Sequence, residues 1–182
     1  MEFSEFIKLD DKNSNGQMVT LVETSNGIQP FPIVLHILKQ LKKLEQKVTY
    51  ILLGSGGHAE KYLADDEIIN CSELVRDAAD FESFLEKFVE TISNIPGERV
   101  IAFDDISVLT SLGLSCYEAV LIIHRLIWKN RLRKIIFGST IVSDDQENSL
   151  FLGHLRTFCD SHLVGRALSS GKCKEITGTV KL

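Results

Sequence analysis

Apolar positions along the chain form two kinds of pattern. Short, nearly continuous apolar runs are typical of strands buried on both faces, and apolar residues that return every three or four positions are typical of amphipathic helices. The short runs predict strands over 18–22, 48–53, 68–69, 100–103, 135–138, 162–167 and 175–180. The longer periodic stretches predict helices over 32–44, 59–64, 81–92, 115–130 and 150–158.

Strands that alternate with helices indicate βαβ units, so we predict an α/β fold with a mainly parallel sheet and helices on both faces. Only the tight turn Ser169–Lys172 joins the last two predicted strands. Such a short connection predicts a C-terminal antiparallel hairpin at one edge of the sheet. Residues 1–16 are polar and are expected to form a flexible N-terminal arm, which leaves 17–182 as one domain.

Composition narrows the class of protein. The 182 residues are 44% hydrophobic and 25% charged, which is ordinary for a globular protein and argues against general disorder. The formal net charge of −5 disfavours nucleic-acid binding by bulk electrostatics. No secretory leader or membrane span is expected, and the four cysteines have no paired spacing, so we expect reduced thiols and a cytosolic or nuclear protein.

The strongest chemical motif is the apolar run Val100–Phe103 followed by Asp104 and Asp105. In nucleotide hydrolases an acid at the carboxyl end of a buried strand holds Mg²⁺ or orients water, and Asp104 stands at that Walker B-like position. The alternative is structural, because aspartate also suits turns and helix caps.

The segment between the first strand and the first helix lacks a phosphate-binding loop. Residues 23–30 contain one glycine and no lysine, whereas a P-loop needs a glycine-rich run that ends in lysine. Glu23 is expected to add negative charge beside a phosphate, and Pro30 removes an amide donor. We therefore expect no autonomous ATP binding of the Walker type.

A glycine-rich turn at Gly54–Gly57 follows the second strand and offers a possible dinucleotide site. The third glycine of that fingerprint is replaced by Ala59, so a plain β-to-α turn is the better interpretation. A small α/β enzyme that uses this turn is one of the functional hypotheses.

Two further clusters have structural explanations. One is a possible zinc set whose spacing matches no paired-ligand motif: His154, Cys159, His162 and Cys173. The other is the only basic cluster, which suits a solvated helix end better than a nucleic-acid site: Arg125, Lys129, Arg131, Arg133 and Lys134.

The helix predicted after Ser115 is apolar around most of its first half, from Ala119 to Ile127. A helix of that kind is buried on more than one side. One side would face the sheet, and we expect a partner subunit or the N-terminal arm to cover part of the other.

A family resemblance follows from these residues. The segment Asp104–Gly113 resembles the DDLSxLLSLG segment of the sixth subunit of the Elongator complex. The C-terminal half is similar to that family in order and spacing: Asp144–Asn148, Leu152–Leu155, Ser161–Leu163, Arg166–Ala167, Ser170–Cys173 and Val180. The early segment Leu21–Leu41 matches more loosely.

The resemblance implies a RecA-like three-layer sandwich without usable Walker motifs. It implies a hetero-hexameric ring with Elongator subunits 4 and 5, two copies of each, that binds tRNA, hydrolyses ATP as an assembly and supports wobble-uridine modification. No catalytic residue carries over, so we expect no enzyme activity, cofactor or metal in this chain alone. The acidic loop 139–148 is a natural position for a loop in the ring lumen. The alternative function is that of a RecA-type ATPase of DNA recombination or signalling.

Overall fold

The computed structural model describes residues 18–25, 27–54, 59–64, 68–71, 74, 80–130, 133–167 and 178–181. Seven strands lie in this part of the chain: β1 Met18–Thr24, β2 Val48–Leu52, β3 Ile68–Asn70, β4 Val100–Phe103, β5 Lys134–Thr140, β6 Ser161–Ala167 and β7 Gly178–Lys181. Five α-helices and one 3₁₀ turn connect them: α1 Phe31–Lys43, the turn Ala59–Lys61, α2 Phe81–Ser93, α3 Val108–Ser111, α4 Cys116–Lys129 and α5 Gln146–Phe158.

The strands form one sheet in the order β3-β2-β4-β5-β1-β6-β7. β1 to β6 are all parallel to one another, and β7 pairs antiparallel with β6. The mainly parallel α/β sandwich of RecA-like type is therefore confirmed. The N-terminal arm and the turn Ser169–Lys172 lie outside the described residues.

Strand direction decides which face each helix covers. The chain moves from the central β1 to β2 through α1, then returns across the sheet through α2, α4 and α5. Because parallel crossovers are right-handed, the reversal places α1 on one face and the three later helices on the other. The two core clusters agree, since Val22, Tyr50 and Ala102 pack with α1 while Leu21, Ile51 and Phe103 pack with α2, α4 and α5.

Helix termini follow the capping residues. Asp80 and Asp145 accept a backbone N–H in the first turn of α2 and α5, and Ser115 forms a capping box with Glu118 at α4. The helix predicted over 150–158 begins four residues earlier, at Gln146, because Asp145 caps a polar first turn that shows no apolar periodicity. The helix predicted over 59–64 is only the 3₁₀ turn Ala59–Lys61.

Gly138 marks the closest approach in the sheet. The chain leaving β4 passes over β5 here, and the Ile106 amide donates to the Gly138 carbonyl at 2.8 Å. A Cβ on residue 138 would lie 2.1 Å from the carbonyl oxygen of Asp104. Only glycine fits between these two backbones.

We expect Gly138→Ala to lower the free energy of unfolding by about 3 kcal/mol or more, since backbone must move to relieve the overlap. Gly153→Ala is the matched control, because that glycine is exposed in α5 and its added Cβ meets no atom within 4 Å. The control should raise stability by about 0.5–1 kcal/mol through helix propensity. Urea unfolding followed by circular dichroism measures the free energy of unfolding of both variants. Equal values for the two variants would contradict the close approach of the two backbones at residue 138.

Candidate functional site

The strand order identifies the edge where a ligand site would form. β1 leads into α1 on one face, and its neighbour β5 leads into α5 on the other face. In open α/β sheets, ligands bind outside the carboxyl ends of strands at such a reversal. The candidate site is therefore the edge formed by the carboxyl ends of β1, β4 and β5, where Glu23, Asp104 and Asp105 lie.

Asp104 follows β4 directly and is 7% exposed. Its two carboxylate oxygens accept the backbone N–H groups of Leu53 and Gly54 at 2.9 and 3.0 Å. Burial raises the pKa of this carboxyl, while the amide hydrogen bonds act in the opposite direction. The side chain thus joins the end of β4 to the end of β2.

Asp105 makes the corresponding connection on the other side of β4. Its carboxylate accepts the amide of Thr140 at 3.1 Å and the amide of Ser107 at 3.0 Å, and both hydroxyls donate to it as well. One group therefore joins β4 to β5 and also supports the turn into α3.

Glu23 lies inside β1 and not in the following loop, so the prediction that it would face a phosphate is wrong. It is 1% exposed and forms a bidentate ion pair with Arg156 of α5 at 2.9 and 3.0 Å. His162 Nε2 of β6 lies 2.8 Å from its second oxygen. A buried carboxylate requires such partners, and these join β1, α5 and β6.

The loop between β1 and α1 offers little to an anion. Pro32 has no amide hydrogen, and the amides of Ile33 and Val34 both donate to the Pro30 carbonyl at 3.0 Å. A helix N-terminus binds phosphate through free amides, and most of those in this first turn are missing or occupied. This geometry agrees with the predicted loss of the phosphate loop.

The three acids together are bound to groups of the chain itself. Carboxylates hold Mg²⁺ through oxygens that are open to the ion and its waters. The oxygens of Asp104, Asp105 and Glu23 instead receive hydrogen bonds from amides, hydroxyls, a guanidinium and an imidazole. No group of three His, Cys, Asp or Glu residues that could hold a metal ion occurs in the described ranges.

The proposed zinc set does not assemble in the described part of the chain. His162 is bound to Glu23, and Cys173 lies outside the described residues, as do Ser55–His58 of the glycine-rich turn. Burial raises the pKa of the Cys159 thiol to about 12, with Asp160 and Glu23 adding to the effect.

The basic cluster is divided between surface and interior. Arg125 and Lys129 are exposed on α4, whereas Arg133 is half-buried and donates to the Ile95 carbonyl at 2.5 Å. Arg131 lies outside the described residues. Arg133 is therefore a structural link between β5 and the end of α2, and Arg125 and Lys129 are the exposed members of the cluster among the residues that the structure describes.

The acidic loop predicted over 139–148 is shorter than expected. Ser139 and Thr140 belong to β5, and Gln146–Asn148 form the first turn of α5. Asn148 is buried and accepts the Val142 amide at 3.1 Å. Only residues 141–145 remain as a connection, which is too short for an extended loop.

Sequence reasoning missed three of the partners in this site: Arg156, His162 and Thr140. A glutamate in a buried strand signals that a cationic partner exists, but that signal does not identify the partner. Arg156 and His162 are 133 and 139 residues away in the chain. Only the placement of α5 and β6 beside β1 brings these side chains together.

Comparisons with known proteins do not identify a family for this chain. Neither a family model nor a curated protein matches the chain. No helix in the described ranges has the length and apolar character needed to cross a membrane.

We expect Glu23→Gln to reduce the free energy of unfolding by about 1–3 kcal/mol, because a buried carboxylate loses its charge-assisted hydrogen bonds to Arg156, which is itself partly exposed. Glu98→Gln is the matched control, since the Lys47–Glu98 pair is exposed on both sides. Exposed pairs contribute little, so the control should leave the urea midpoint unchanged. Equal urea midpoints for both variants would show that the Glu23–Arg156 pair adds nothing to stability.

We also expect the three described cysteines to differ in reactivity. Burial raises the pKa of all three thiols, and it raises those of Cys71 and Cys159 to about 12. In a Cys173→Ser background at about pH 8, iodoacetamide should modify the half-buried Cys116 at least about tenfold faster than the other two, because the thiolate is the reactive form. Peptide mass spectrometry measures the rates, and faster labelling of Cys71 would contradict the burial of its thiol.

Proposed function

We propose that this chain is a non-catalytic subunit of an Elongator-like accessory ring, assembled with partners of the subunit 4 and subunit 5 types. The ring would bind tRNA and support modification of its wobble uridine. One observation carries the proposal. At the sheet edge where a nucleotide hydrolase binds its metal and phosphate, the carboxylates of Asp104, Asp105 and Glu23 accept hydrogen bonds from other parts of this chain.

The segment that resembles the Elongator subunit has a definite structural role in this fold, which supports the proposal. Asp104 and Asp105 secure the end of β4, Ser107 donates to Asp105, and Gly113 has a φ of +90° just before α4. Few residues other than glycine adopt that backbone conformation. The motif therefore determines the geometry of the connection between β4 and α4. Such a structural role is expected of a subunit that keeps the fold and has no catalytic activity.

In this proposal tRNA binding belongs to the assembly and not to this subunit alone. The chain has a formal net charge of −5, and Arg133 is held by the Ile95 carbonyl. We propose the cytosol or nucleus as the compartment, since Cys71, Cys116 and Cys159 are free thiols.

Co-expression with subunits 4 and 5 tests the proposal. The expected product is a hetero-hexamer with two copies of each chain, resolved by native mass spectrometry, that binds a tRNA anticodon arm. A chain that stays monomeric in the presence of both partners would contradict it.

ATP titration of the purified chain by calorimetry separates this proposal from the RecA-type ATPase. We expect no Mg²⁺-dependent binding. Binding that is present in the natural chain and lost in a folded Asp104→Asn variant would favour the ATPase instead, and a thermal melt of the variant verifies that it is folded.

A further inference from the structure

A groove of about 950 Å³ runs between the outer sides of α2 and α4, which pack against each other on the face that carries three long helices. Leu85 and Val89, which are buried side chains of α2, form part of its wall. Trp128 of α4 lines the opposite side and is 66% exposed. The groove lies away from the strand ends that contain Asp104 and Glu23.

The two rims of the groove have opposite charge. Glu86 and Glu90 are exposed one turn apart on α2, and Arg125 and Lys129 are exposed one turn apart on α4. Among the residues that the structure describes, no ion pair joins one rim to the other. The groove therefore presents an acidic line and a basic line of equal spacing on either side of an apolar wall.

The two helices run in the same direction. α2 precedes β4 and α4 precedes β5, and these strands are parallel neighbours in the sheet. Each helix therefore runs opposite to its strand, so α2 and α4 are parallel to each other. A two-fold axis that lies in the plane of this face and parallel to the helices exchanges their sides, so that α2 of one copy lies over α4 of the other.

That two-fold arrangement pairs the rims correctly. Glu86 and Glu90 of each copy come over Arg125 and Lys129 of the other, and the interaction occurs twice because the interface is isologous. A two-fold axis across the helices would instead place acid over acid and base over base, which is repulsive. The charge pattern thus selects one arrangement.

Trp128 supplies the apolar part of the same contact. It is the single tryptophan of the chain, and large aromatic side chains that protrude beside a groove are typical anchors of interfaces. The same axis brings Trp128 of one copy over the α2 side of the other groove, where Leu85 and Val89 lie. Each copy would then fill the groove of its partner.

We propose that the α2–α4 groove is a self-complementary interface that binds a second copy of this chain. The charges identify the partner as a second copy. An acidic line beside a basic line at this spacing is complemented by the same surface rotated about the two-fold axis. The proposal does not depend on the ring described above, since it concerns the chain alone.

Sedimentation equilibrium of the full chain tests the interface. The natural chain should form a dimer at micromolar concentration, and Trp128 emission should shift to shorter wavelength as the dimer forms. Glu86→Lys with Glu90→Lys makes both rims basic, and Arg125→Glu with Lys129→Glu makes both acidic. Each double variant should weaken its own dimer by about tenfold or more, and a mixture of the two should regain the dimer.

Lys42→Glu with Lys43→Glu is the matched control, since it reverses two basic residues in the last turn of α1 on the opposite face of the sheet. It should dimerise like the natural chain. A natural chain that remains monomeric over the whole range would overturn the proposal. A dimer that survives both charge reversals would also overturn it and would direct attention to other exposed apolar side chains, such as Tyr117 and Leu150.

Discussion

The pair of aspartates at the end of β4 is the constraint on which this sheet edge depends. Asp104 and Asp105 directly follow β4, and their carboxylates bond to the strands on its two sides: Asp104 to the end of β2 and Asp105 to β5. Asp104 is almost fully buried, and a buried carboxylate without donors would cost several kcal/mol, roughly the range for an uncompensated polar group. The amides of Leu53 and Gly54 after β2 supply those donors, while the Thr140 amide of β5 donates to Asp105, and together these bonds fix the three strands relative to one another.

The same arrangement explains why a RecA-like sheet need not act on a nucleotide. A metal ion and hydrogen-bond donors of the chain compete for the same carboxylate oxygens. Here amides and hydroxyls donate hydrogen bonds to those oxygens. Glu23 has the same structural role in β1, where its carboxylate is paired with Arg156 and lies against His162. Interactions that would serve phosphate chemistry in a hydrolase serve cohesion of the sheet in this chain.

The fold could be predicted further than the site because the two depend on different ranges of sequence. Apolar periodicity is local, and it identified six strand positions and the helices α1, α2 and α4 closely. The start of α5 was missed because Gln146–Ser149 is polar and only the Asp145 cap marks it. The partners of Glu23 could not be found, since their contact depends on the packing of α5 and β6 against β1 and on nothing near residue 23.

The reversal of direction at β1 leaves the two faces of the sheet with different capacities for contact. On one face α1 packs so closely that a Cβ at Gly165 would come within 2.8 Å of Ile33, which leaves no room between helix and sheet. On the other face α2 and α4 pack against the sheet and each other, and a groove with charged rims runs between their outer sides. Because the carboxylates at the described strand ends are held by internal hydrogen bonds, we place the contact with a second copy on this helical face, along the acidic and basic rims of the groove.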